Sequence, residues 1–64
     1  MGRVPIPKPS FLDSREYLGY IQGERRWRGP RNLLYTWDAL HGEIEVFTAQ
    51  GLHRGVLDAT TGRS

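Results

Sequence analysis

Seven residues that can hold or move a proton fall between Tyr35 and Asp58 of this chain: Tyr35, Asp38, His41, Glu43, Glu45, His53 and Asp58. Period-2 alternation over 41–48 sets His41, Glu43, Glu45 and Phe47 on one strand face, with Ile44 and Val46 on the other. Successive side chains on that face stand about 6.5–7 Å apart. Asp38 lies across a tight bend from His41. The patch therefore offers an imidazole surrounded by carboxylates. A ribonuclease that forms a cyclic phosphate needs this pair of functions. One group takes the 2′-hydroxyl proton, and another protonates the leaving 5′-oxygen. A carboxylate crowded by other carboxylates suits the base, and an imidazole kept protonated by acids suits the acid. No metal or other cofactor is required.

Two other readings compete. His, Asp and Glu can bind divalent ions, but spaced His pairs and an EF-hand loop are absent from the sequence. The same residues could also form the solvated face of a half-exposed sheet. Serine chemistry and nucleotide hydrolysis are poor candidates. There is no cysteine, no Gly-x-Ser-x-Gly elbow and no phosphate-cradling glycine loop.

The elements expected to position the patch are few. Val4-Pro5-Ile6-Pro7-Lys8-Pro9 cannot be helical, so residues 1–12 read as an extended proline-rich arm that docks on the sheet or on a partner. Residues 13–64 form one small domain. A short helix is expected over 13–22, with Asp13 as cap, Glu16 completing a capping box and Gly23 as stop. The basic stretch 24–31, broken by Gly29-Pro30, reads as a loop. From residue 32 the pattern is β. Leu33, Tyr35 and Trp37 share a face, then come 41–48 and, after Gln50-Gly51, 53–58. The expected fold is α+β and mainly β: a short N-terminal helix packed on a small twisted antiparallel sheet of about three strands.

The 64 residues carry a net charge of +2. Eight of the nine basic residues are arginine, and Arg25, Arg26, Arg28 and Arg31 fall close together. Guanidinium forks match phosphate geometry, so these residues, with Trp27 and the more distant Arg54, are candidate RNA contacts. Trp27 would either stack on a base or pack in the core. A solvated loop would explain the arginine cluster equally well. No stretch is apolar enough to span a membrane, and the N-terminus lacks a signal-peptide core. The absence of cysteine suits a reducing compartment, and the expected location is the cytoplasm. A short meander with an open edge could also pair as a homodimer.

The order Arg26-Trp27, Tyr35-x-Trp37-Asp38-x-x-His41-Gly42-Glu43-Ile44-Glu45-x-Phe47, then Gly51-x-His53-x-Gly55-x-x-Asp58-x-x-Thr61-Gly62 resembles a known domain. It is similar to the cytotoxic ribonuclease domain of the E-type colicins and cloacin, which cleaves 16S ribosomal RNA at the decoding site. The resemblance implies a small twisted antiparallel sheet and catalytic roles for Asp38, His41 and Glu45. It implies that Tyr35, Glu43 and His53 line the site. Glu45 would be the general base and His41 the acid, with Asp38 orienting His41; the reverse order of base and acid stays open. The resemblance also implies a basic segment beyond Gly62 with an arginine that stabilises the transition state. Here Arg63 follows, and Arg54 or the 25–31 cluster is the other source of such a charge. The loop before His53 is one residue shorter than is usual, and Ala59 stands where a proline is common. The implied partners are the ribosome and an acidic inhibitor protein, as for a toxin acting inside the cell. A homologue that binds ribosomal RNA or a protein partner without cutting is the alternative.

Overall fold

A computed structural model describes residues 2–64. Met1, the first residue of the arm, lies outside the described residues. Five antiparallel strands follow one another in a meander: β1 (Glu16–Ile21), β2 (Glu24–Arg28), β3 (Leu34–Asp38), β4 (Glu43–Phe47) and β5 (His53–Asp58). Among the described residues the remaining regular elements are two 3-10 turns, Phe11–Ser14 and Pro30–Asn32.

The expected helix over 13–22 is therefore corrected, and so is the α+β class: the fold is an all-β sheet of five strands. The capping box exists, but one turn earlier. The Ser10 hydroxyl accepts from the Leu12 amide at 2.9 Å, and the Asp13 carboxylate accepts from the Ser10 amide at 2.9 Å. The turn they cap ends at Arg15, which is extended (φ −105°, ψ 154°). Tyr17, Tyr20 and Ile21 are good strand residues. Gln22 and Gly23 both have positive φ, as a two-residue hairpin turn of type I′ requires. The alternation is hard to see because a bulge at Leu18 separates the Tyr17–Trp27 and Gly19–Arg26 pairs. The basic stretch 24–28 is likewise a strand rather than a loop. It is held between β1 and β3 by a ladder that local sequence does not reveal.

The core lies on one face of the sheet. It comprises Leu12, Trp27, Tyr35, Ile44 and Val46, with Ile6, Phe11, Leu33, Trp37 and Leu57 packed against it. The proline-rich arm crosses this face where a helix was expected. The Val4 amide donates to the Ala39 carbonyl at 2.8 Å, and the Trp37 indole donates to the Val4 carbonyl at 3.0 Å. The C-terminal turn closes the other end. Gly62 has φ +75°, and its α-carbon abuts the Phe11 ring so closely that no side chain fits.

Candidate active site

Strand register assigns each polar side chain to a face. Three rows cross the face opposite the core. Asp38, Glu43 and Asp58 form one row on β3, β4 and β5. Arg26, Thr36, Glu45 and Val56 form the next, and Arg28, Leu34, Phe47 and His53 the third. The single apolar alternation Ile44/Val46 thus anchors β4 and turns Glu43 and Glu45 outward together.

His41 is not on the strand. It sits in the four-residue turn between β3 and β4, and Asp38 organises that turn. One Asp38 oxygen accepts the amides of Leu40 (3.0 Å) and His41 (3.2 Å), while the other meets His41 Nδ1 at 2.8 Å. The Asp38 carbonyl accepts the Gly42 amide at 2.8 Å. This leaves Nε2 of His41 directed away from Asp38 on an exposed ring. The hydrogen bond from the His41 ring, then that from its amide, holds the Asp38 carboxyl below its ordinary range. Reciprocally, the Asp38 hydrogen bond and charge raise the His41 pKa, with smaller help from Glu43 and Glu45.

A second His–carboxylate pair lies on the same face: His53 Nε2 hydrogen-bonds Glu45 Oε1. The His53 ring is set by Phe47, edge to face at 5.3 Å. Sequence reasoning placed Phe47 on the same face as Glu45 without noting this contact. Ligand atoms of Asp38, His41 and Glu43 also lie within 4.8 Å of one another, so the turn draws Glu43 to the first pair.

Other expected site residues go elsewhere. Tyr35 does not line this face. It pairs with Val46 on the core face, is 3% exposed, and packs edge to face on Phe11 at 5.7 Å. Trp27 is buried beside Tyr17 and takes the core role rather than that of a stacking platform. Arg25 shares the core face with Trp27, 5.5 Å above its ring. Arg26 faces the carboxylates. Arg28 faces them too but is held by Glu16 at 3.0 Å. Arg31 lies in the turn after β2, and Arg54 is the residue skipped by the register at the β4–β5 bulge.

The arm braces the β3–β4 turn from behind, a contact more specific than the docking on the sheet expected from its prolines. A β-carbon on Gly42 (φ +69°) would stand 2.9 Å from a methyl of Val4. Gly42→Ala therefore meets both a backbone and a packing penalty. We expect it to cost about 1–3 kcal/mol, read as a lower urea midpoint. An unchanged midpoint would mean that the arm does not hold the turn.

A family model described as Cytotoxic matches residues 19–64. The chain belongs to that family, the cytotoxic domain of the E-type colicins and cloacin. The match begins inside β1 and takes in every strand residue of the two His–carboxylate pairs. Membership in the Cytotoxic family makes this chain a toxin domain. No curated protein and no solved structure matches the chain significantly. No helix among the described residues is long and apolar enough to cross a membrane.

Proposed function

We propose that this Cytotoxic domain is an endoribonuclease that cuts 16S ribosomal RNA at the decoding site and so stops translation. The observation that carries the reading is the pair of His–carboxylate couples, Asp38–His41 and Glu45–His53, on one sheet face. Glu45 is the general base. It takes the 2′-hydroxyl proton, and the 2′-oxygen attacks the adjacent phosphorus. The bond from phosphorus to the 5′-oxygen breaks as His41 delivers its proton to that oxygen. The products are a 2′,3′-cyclic phosphate and a free 5′-hydroxyl. Asp38 keeps His41 protonated and orients it, and His53 steadies Glu45. The residues supply both proton transfers, so the step needs no metal. Arg26 lies on the same face, two strands from Glu45 with Thr36 between them, and is the cation assigned to the reacting phosphate.

The ribosome is the substrate-bearing partner, and a toxin of this kind acting in the cytoplasm needs an inhibitor protein. Incubating the purified protein with ribosomes at low salt should release a discrete 3′ fragment of 16S rRNA. Low salt matters because phosphate contacts weaken steeply as ionic strength rises. Ribosome binding without a fragment, at high protein concentration, would assign the chain to the non-cutting alternative.

A further inference from the structure

The catalytic face has the wrong charge for holding RNA. It presents Asp38, Glu43, Glu45 and Asp58 against Arg26 and a protonated His41, while Arg28 is already paired with Glu16. A polyanion must therefore be attracted by another surface. The opposite face carries one. Between the arm and the β1–β2 hairpin runs a groove of about 720 Å³. Four of the chain's nine cations line it, Arg3, Lys8, Arg15 and Arg25, against one of its seven acids, Asp13. Asp13 is occupied in capping Ser10. None of the four cations forms an ion pair among the described residues.

The groove also holds aromatic surface. Tyr17 is 52% exposed and Tyr20 is 71% exposed, beside Arg25, whose guanidinium lies 6.0 Å over the Tyr17 ring. Two exposed tyrosines on one strand are costly to leave wet, and the arginine interleaved with them extends a flat stacking surface. Cations that track a backbone combined with rings that take bases are how single-stranded nucleic acid is held without sequence preference. An acidic protein would use the cations but has less use for the rings.

We propose that this groove binds a single-stranded RNA segment flanking the one presented to the catalytic face. The proposal rests on the ribonuclease reading for its biological substrate, but the binding is measured apart from the chemistry. The probe is a short fluorescein-labelled oligouridine with 2′-O-methyl riboses, which offers no 2′-hydroxyl to cut. Fluorescence anisotropy across a salt series gives affinity and slope. Removing three exposed cations in Arg3→Ala/Lys8→Ala/Arg25→Ala should weaken binding by about tenfold or more. It should also lower the salt slope by about two, at ~0.7 per phosphate contact. Tyr20→Ala should weaken binding at least about fivefold while leaving the slope unchanged, because it removes a base stack and no charge. Both variants alter exposed side chains, and an unchanged urea midpoint confirms that each is folded. Unchanged affinity in both would overturn the groove, as would weakened binding to polyglutamate with RNA affinity intact. Ribosome cleavage by the unmodified chain is scored separately. Absence of cleavage with groove-dependent binding removes the catalytic reading and keeps the groove; cleavage with unaffected binding does the reverse.

Discussion

Glu45→Gln and His41→Ala should each slow 16S rRNA cleavage by about 10²–10⁴-fold, the usual worth of a positioned base or acid. Neither side chain belongs to the buried core, so the urea midpoint should stay near that of the parent chain. The informative third variant is Asp38→Asn. Asp38 raises the pKa of His41 above its ordinary 6.5, through the ring hydrogen bond first and its charge second. If His41 is the acid, cleavage is lost on the alkaline side as His41 gives up its proton. Asp38→Asn removes the cause of the shift, so that alkaline limb should move to lower pH. If His41 is instead the base, the acidic limb is the one that moves. A profile with both limbs unmoved would remove His41 from the proton transfers altogether.

Stability carries the same signature with opposite windows for the two partners. The His41 pKa is raised on folding. Its contribution is complete below about 6.5 and is lost as pH rises through the raised value. The Asp38 pKa is lowered. Its contribution is present above about 3.8 and is lost as pH falls through the lowered value. The turn is thus best held between these limits, in the range where a protonated His41 and an ionised Asp38 coexist. The pH dependence of activity and that of turn stability share one origin, the 2.8 Å contact.

How far the sequence revealed this depended on how local each cause was. The alternation around Ile44 and Val46 is self-contained, and it located β4 and the outward face of Glu43 and Glu45. Asp38 and His41 were legible as neighbours because a three-residue separation across a bend leaves little freedom. Tyr35 lies on the core face for a specific reason. The motif that carries it spans both faces of β3, and an odd–even count from Thr36, which pairs with Glu45, puts Tyr35 on the buried side. The first two strands were hidden because the Leu18 bulge breaks the alternation of β1, and the charged run Glu24-Arg25-Arg26-Trp27-Arg28 has a single apolar residue to mark a face. A capping signal nearby then favoured a helix. The arm was the least legible part. Nothing in Val-Pro-Ile-Pro says that a valine will close against Gly42, a residue far along the chain that comes near only once the sheet exists. What the prolines did fix was an extended backbone with few donors, which can lie across a core without leaving many amides unsatisfied.

Ile44→Ala should nearly unfold the domain. Ile44 is fully buried and lies on β4 between the two outward acids. Truncating a buried isoleucine costs about 2–5 kcal/mol. At ~0.05–0.15 kcal/mol per residue, a chain this short has a total stability of only roughly 3–10 kcal/mol. The core comprises five buried apolar residues, so few neighbours can collapse into the gap. Urea titration followed by Trp27 and Trp37 fluorescence should show a midpoint far below that of the parent or no folded baseline. Cleavage should fall with it, in contrast to Glu45→Gln, which keeps the fold and loses the reaction. The two variants one residue apart thereby separate the two jobs assigned to β4: its inward side chain supplies the stability, and its outward side chain carries the proton in the proposed reaction. A parental midpoint for Ile44→Ala would mean that the arm and the Phe11 cluster, rather than the sheet face under Glu45, hold the domain together.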